Sequence, residues 1–350
     1  LVEYYTKYNS CGERVKYAWG QKTDQKVAET REKVLKFIKL KPKDYFVSFT
    51  LNTTYGLNLL LNQFNFKQAN IKTIVTSDIE HNSVFLSTLS ASQTAKIERL
   101  VLTRDNDGSV QVSEIPDNSI VVMNAMSNFN GAKLNLKEVI EYVHSRNGFI
   151  IVDAAQVMAH NSELLHNIEL DAICFSAHKM YSASLGVIVM KKSFAKLFDT
   201  TFIGGGMVDD VKKSSFLLSA DNPDHLHTKF EPGLQAWGEI IALGEAIAWL
   251  ERIPKNKQEQ LAKNAKRIFD FVETNGTTGN INLSKNQRDQ SSKKLHLLNS
   301  TPTPTLSFYV DGLDSHLLGE ALAEEGIMAR TGYFCVHYFL DHKMHFPPLV

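Results

Sequence analysis

A histidine and a lysine stand side by side after an apolar run in Ala172-Ile173-Cys174-Phe175-Ser176-Ala177-His178-Lys179. That run, and Gly186-Val187-Ile188-Val189-Met190 after it, read as strands, so Ser176, His178 and Lys179 belong to a turn at the end of a sheet. A desolvated lysine facing a cleft there can form a Schiff base with a carbonyl. Asp153 ends a second apolar run, Phe149-Ile150-Ile151-Val152, with Gln156 three residues on. An ionised carboxylate in such a place needs a cationic partner or good hydrogen bonds. Asn52-Thr53-Thr54 precedes a helical pattern (Leu57, Leu60, Leu61, Phe64) and offers hydroxyls and backbone N–H groups at a helix N-terminus, a natural seat for a phosphate. Taken singly, the threonines are ordinary caps and the lysine an ordinary surface residue.

Their positions repeat along one kind of scaffold. Apolar stretches at 46–50, 71–76, 97–103, 120–123, 149–152, 172–175 and 186–190 alternate with helical patterns at 23–40, from 57, from about 83 and at 136–145. This alternation predicts an α/β domain with a mainly parallel, seven-stranded sheet. Ligands collect outside the carboxyl ends of such strands. Thr54, His81, Asn128, Asp153, Gln156, Ser176, His178 and Lys179 all fall there. Helices are expected at 239–252, which Pro254 stops, and at 258–274. A polar stretch follows at 275–304, then a strand at 306–310, a helix at 316–325 and a strand at Ile327–Arg330. The expected division is a large domain at 21–253 and a small α+β domain formed by 1–20 and 254–350. Leu1 at one end and Phe346-Pro347-Pro348-Leu349-Val350 at the other, which reads as the approach to a further strand, suggest incomplete termini.

Composition narrows the class. Of 350 residues, 43% are hydrophobic, and Lys+Arg and Asp+Glu both total 38, so nothing favours a nucleic-acid or membrane surface. The three cysteines, Cys11, Cys174 and Cys335, are too few and scattered for a disulfide framework, which points to a reducing, cytoplasmic setting. No apolar run reaches the ~20 residues of a membrane span. No strand leads into Gly-x-Gly-x-x-Gly, which disfavours a dinucleotide-dependent dehydrogenase.

Asp153-x-x-Gln156 and Ser176-x-His178-Lys179, in this order, resemble the class V aminotransferase and cysteine desulfurase family of pyridoxal phosphate (PLP) enzymes. Asn52-Thr53-Thr54-Tyr55-Gly56-Leu57-Asn58 is similar to the family's Gly-Thr-Thr-Glu-(Gly/Ala)-Ile-Asn, with Asn52 and Tyr55 as departures. Glu80-His81-Asn82-Ser83 and Ser127-Asn128-Phe129-Asn130-Gly131 resemble two further family motifs. Arg330-Thr331-Gly332-Tyr333-Phe334-Cys335 is similar to the desulfurase Arg-x-Gly-x-x-Cys, and reads as in the PLP domain of molybdenum cofactor sulfurases. Gly204-Gly205-Gly206 fits the same branch. Phe230-Glu231-Pro232-Gly233-Leu234 resembles Phe-Glu-x-Gly-Thr, with Leu234 replacing a threonine that reaches the neighbouring subunit's phosphate.

The resemblance implies PLP fold type I, a homodimer, and a role for each residue. Lys179 carries the cofactor and moves the substrate proton, Asp153 and Gln156 tune the ring, and His81 stacks on it and serves catalysis. Thr53, Thr54, Ser176 and His178 hold the phosphate, while Asn128 lies beside cofactor and substrate. Arg330 grips the substrate carboxylate, and Cys335 takes sulfur from L-cysteine as a persulfide, leaving alanine and passing sulfur to an acceptor protein. Rival expectations are a class V aminotransferase, epimerase or lyase in which Cys335 is incidental, and a PLP-binding scaffold without catalysis. No metal is expected.

Overall fold

The computed structural model describes residues 1–12, 15–275 and 294–350. Seven strands form the central sheet: β1 (Tyr45–Thr50), β2 (Thr73–Ser77), β3 (Glu98–Leu102), β4 (Ser119–Asn124), β5 (Phe149–Asp153), β6 (Ala172–Ser176) and β7 (Gly186–Lys191). Their order is β1-β7-β6-β5-β4-β2-β3. Only β7 runs against its neighbours β1 and β6, so the sheet is mostly parallel, as the sequence predicts.

Strand alternation assigns each side chain to one of two cores. In β5, Ile150 and Val152 join one cluster while Ile151 joins the other. In β6, Ile173 and Phe175 face the first and Ala172 and Cys174 the second. The first core is closed by α2 (Ala18–Phe37), α5 (Leu136–Ser145) and α6 (Trp237–Leu250), the second by α3 (Thr53–Gln63) and α4 (Asn82–Ala95). Each fully buried Val, Leu, Ile, Phe or Met contributes roughly 1.5–3 kcal/mol, which explains why β1, β4 and β6, buried along their whole length, are apolar runs. A strand covered on both faces reads this way.

The short helix α1 (Val2–Lys7) buries Tyr4, and Tyr8 just after it joins the same first core. Beyond α6 come α7 (Lys255–Asn275), a β8–β9 hairpin having preceded them at Val208–Val211 and Phe216–Leu218. The expected polar stretch lies mostly in 276–293, outside the described residues. The C-terminal part pairs β10 (Leu295–Leu297) with β11 (Phe308–Val310) and adds α8 (Ser315–Glu324), capped by the Asp314 carboxylate. The strand expected at Ile327–Arg330 does not form. Met328 is 98% exposed there, and extended pairing is taken instead by Gly332 with Leu349 and by Phe308 with Val350.

A third apolar cluster joins Ile79, Phe129 and Ala132 of the sheet's carboxyl-end loops to Val336, Leu340 and Leu349. It seats the Cys335 segment beside the strand ends.

Candidate active site

The loops after β1, β2, β4, β5 and β6 meet around a cleft of about 330 Å³. Its floor at one end is a hydroxyl cradle. Asn52 caps α3 by accepting from the Tyr55 N–H at 2.9 Å. Ser176 Oγ, at the end of β6, accepts from the Thr53 N–H at 2.9 Å and lies 2.6 Å from Thr53 Oγ1. Thr54 Oγ1 lies 2.6 Å from Ser83 Oγ at the start of α4. Gly186 makes the close approach possible, since a Cβ there would stand 2.5 Å from the Asn52 nitrogen. Helix N-terminus, N–H groups and hydroxyls together suit an anion.

Lys179 sits half-buried on the single turn Ala177–Met180 that joins β6 to the antiparallel β7, and Tyr181 closes that turn in the left-handed region (φ 61°). His178 is exposed at the same cleft, its imidazole pushed below the usual range by burial and by the Lys179 cation. Asp153 ends β5 and is 6% exposed. Burial pushes its carboxyl up, opposed by the Ala155 N–H, which donates at 2.9 Å, and by the Lys179 charge. One backbone hydrogen bond is thin support for a buried carboxylate, and a protonated ring nitrogen would supply what is lacking.

His81 caps α4: its Nδ1 accepts from the Ser83 N–H at 3.0 Å, which puts the proton of the neutral ring on Nε2. Burial, Lys179 and Arg330 lower its pKa to about 4. Asn128 Oδ1 is buried without a partner, while its Nδ2 donates to the Phe334 carbonyl at 2.8 Å. An orphaned acceptor, a thinly supported carboxylate and a hydroxyl cradle on one cleft fit PLP.

Cys335 itself does not line the cleft; its turn is fastened to the rim. The Cys335 carbonyl accepts from the Asn82 N–H at 2.6 Å, one residue after His81. Phe334 and Cys335 both hold left-handed backbone (φ 50° and 60°), which side chains of this kind adopt at a cost of about 1–3 kcal/mol each. Arg330 lines the cleft. Of the other cysteines, Cys174 is fully buried and its thiol is pushed well up by burial, and Cys11 is exposed.

The family model "Aminotransferase class-V" matches residues 1–345. The chain belongs to the class-V aminotransferase family. It is 27% identical over 345 residues to a probable cysteine desulfurase of Pyrococcus abyssi, covering 96% of this chain and 80% of the relative. Among solved structures, the cysteine desulfurase of Thermococcus onnurineus NA1 superposes with a TM-score of 0.84 at 24% identity, over 99% of this chain and 83% of the other. A cysteine desulfurase of Escherichia coli gives a TM-score of 0.83 at 21% identity, again over 99% and 83%. At these identities the structural likeness is one of fold, the fold expected from sequence.

This class-V chain brings Thr53, Thr54, His81, Asn128, Asp153 and Gln156 to one cleft, together with Ser176, His178, Lys179 and Arg330. Sequence reasoning missed Ser184, Asn124 and Met126, which also line it. It also missed the support beneath His81. Glu80 is fully buried and pairs with Arg104 at 2.8 Å, accepts from Ser77 Oγ and from the Asn124 N–H at 2.7 Å. Burial pushes this carboxyl up while Arg104, Ser77 and Asn124 favour its anion. Arg104 also donates to the Gly108 and Asn124 carbonyls at 2.9 Å. Glu80 lies in the polar turn after β2, where a charged residue reads as surface. Leu234 is 81% exposed, on a loop braced by the Gly233 N–H to Gly205 carbonyl bond and by the Glu231–Arg31 pair.

Proposed function

We propose that this class-V protein is a PLP-dependent cysteine desulfurase that converts L-cysteine to alanine and leaves the sulfur as a persulfide on Cys335. The observation that carries the reading is the fastening of the Cys335 turn, through Asn82 and Asn128, to the rim of a cleft that also holds Lys179, Asp153 and Arg330. The named relatives support it.

Thr53, Thr54, Ser176 and His178 would hold the phosphate, Asp153 the ring nitrogen, Gln156 the phenolic oxygen, and His81 one ring face. Bound PLP supplies an electron sink for the substrate carbon. Lys179 Nζ holds the cofactor at rest, then takes the proton from the substrate α-carbon and returns protons to carbon. Arg330 orients the substrate through a two-pronged hydrogen bond to its carboxylate. Cys335, as the thiolate, bonds to the substrate sulfur while the carbon–sulfur bond breaks; the electron pair left on carbon ends in the C–H bond of alanine. His81, with its pKa lowered to about 4, stays neutral at pH 7 and adds no charge to the ring face.

The same reading includes a homodimer, a protein that accepts the sulfur, a cytoplasmic setting and a division into a PLP-binding part at 21–253 and a smaller part formed by 1–20 and 254–350. Exposed Phe202, Ile203 and Leu234 near the Gly204–Gly206 loop support the subunit contact. Free thiols at all three cysteines agree with a reducing compartment.

Purified, PLP-loaded wild type and Cys335→Ser are compared for alanine and sulfide release from L-cysteine. Activity in the wild type alone is the expected result. No alanine from either protein, with normal cofactor absorbance, would move the assignment to another amino-acid transformation.

A further inference from the structure

Cys335 is followed by a helical turn of unusual pitch. Tyr338–Lys343 is a π turn, and the Met344 N–H donates to the Phe339 carbonyl five residues back at 2.9 Å. Side chains five apart on an α-helix diverge by about 140°. The wider turn instead sends Tyr338 and Lys343 to the same neighbour, the end of β2 and the start of α4. Tyr338 stacks on Phe85 with ring centroids 4.5 Å apart and planes 21° apart, and the Arg99 guanidinium lies 4.3 Å from the centre of the same ring. Lys343 Nζ reaches the buried Asp78 Oδ2 at 2.5 Å and Thr103 Oγ1 at 2.9 Å. Between them, Asn82 Nδ2 lies 3.2 Å from His337 Nδ1.

Asp78, Asn82 and Phe85 bracket His81. The segment after Cys335 is therefore gripped at three points by the stretch that carries the histidine, and the two left-handed residues Phe334 and Cys335 lie directly before that grip. Single π turns are uncommon and gather at functional sites. Left-handed backbone at a bulky residue persists only where its surroundings hold it.

We propose that Tyr338 and Lys343 are positioning residues that clamp the Cys335 turn to the His81 turn and thereby fix the thiol at the cleft rim. The role assigned to that thiol rests on the desulfurase reading; the clamp itself is a statement about Cys335 alone. A nucleophile displaced by about 1 Å can lose 10²-fold in rate, so a clamp that sets the direction of approach acts on turnover and leaves carboxylate binding at Arg330 untouched.

PLP-loaded wild type, Lys343→Met, Lys343→Arg, Tyr338→Ala and Tyr338→Phe are compared in two ways. One is kcat and KM for alanine formation; the other is the rate at which iodoacetamide alkylates Cys335, followed on its own peptide so that Cys11 does not contribute. Lys343→Met and Tyr338→Ala lower kcat about tenfold with KM within about twofold, and raise Cys335 alkylation severalfold. Lys343→Arg and Tyr338→Phe, which keep the charge and the stacked ring, restore both. Alkylation at the wild-type rate in Lys343→Met and Tyr338→Ala overturns the clamp. A parallel rise at Cys11 with loss of cofactor absorbance overturns it too, since that reports general loosening. A wild type that makes no alanine sinks the desulfurase reading alone, because the alkylation ratio still decides the clamp.

Discussion

The main-chain carbonyl of Cys335 lies 2.6 Å from the backbone nitrogen of Asn82, so the cysteine turn and the histidine turn share a hydrogen bond across more than half the chain. A second tether, from Asn128 Nδ2 to the Phe334 carbonyl, belongs to a side chain that also lines the cleft. Asn128→Asp keeps the shape and removes the donor, setting a carboxylate against a carbonyl. A lost buried hydrogen bond of this kind costs about 1–3 kcal/mol. Hydrogen exchange by mass spectrometry is expected to show faster exchange at residues 333–336, by roughly tenfold, with β5 and β6 unchanged; equal rates would remove Asn128 from the support of the turn.

The Glu80–Arg104 pair is buried at both ends, with side chains 0% and 1% exposed. Removing one partner of such a pair costs about 3–5 kcal/mol, because the other charge is left without compensation. Arg104→Met should therefore lower the urea midpoint sharply, and Arg104→Met with Glu80→Gln should recover part of the loss. A single variant as stable as wild type would contradict the arrangement.

Two histidines make acid destabilising. His81 and His227 are each lowered to about 4, both chiefly by burial, with Lys179 and Arg330 acting on the first and Arg31 on the second, where Glu231 opposes. The unfolded chain takes up these protons near pH 6.5, before the folded chain does. Stability from this source is complete above about pH 6.5 and is lost as pH falls toward 4, by no more than about 3 kcal/mol per histidine. Buried Asp153 and Glu80, raised by burial, act in the opposite sense. The discriminating comparison is His227→Gln against wild type: the fall in urea midpoint between pH 7 and pH 4.5 should be smaller in the variant, and an equal fall would count against a neutral, half-buried His227.

Gly186→Ala tests the cradle from behind. The added methyl would meet the Thr50 hydroxyl and the Asn52 nitrogen, the latter at 2.5 Å, and push the Asn52–Thr53 turn away from Ser176. PLP binding, followed by its absorbance at equilibrium, is expected to weaken by at least about tenfold, since the misplaced groups include an N–H at a helix terminus. Wild-type affinity would show that the turn yields without loss.

How much of this could be read beforehand depends on whether the determinant is local. Leu136, Val139, Ile140 and Val143 repeat at helical spacing, and α5 has the expected bounds. Lys179 and Asp153 stood out because each ends an apolar run, and a strand covered on both faces makes such a run visible. By contrast, α2 starts at Ala18, ahead of the first apolar residue of its periodic face, because buried Gly20 and Thr23 continue the helix without an apolar signature. The Ile327–Arg330 stretch reads as a strand from composition, but it takes no strand pairing among the described residues. Glu80 with Arg104, and Asp78 with Lys343, were unreadable for another reason. Charged residues in polar turns resemble surface until a distant segment buries them, and Lys343 comes from 265 residues away.

The placement of β7 between β1 and β6 has a consequence for biosynthesis. Thr53 and Ser176 are 123 residues apart, and they meet only when β7 has entered beside the N-terminal strand. Pairing over such a separation is slow to nucleate, because loop closure precedes any contact that rewards it. On the ribosome, a chain released only as far as β5 has Asp153 but neither Lys179 nor the Thr53–Ser176 contact. A cofactor held by these residues, as proposed, would therefore bind only to a sheet completed through Lys191 and could not template the first half of the molecule.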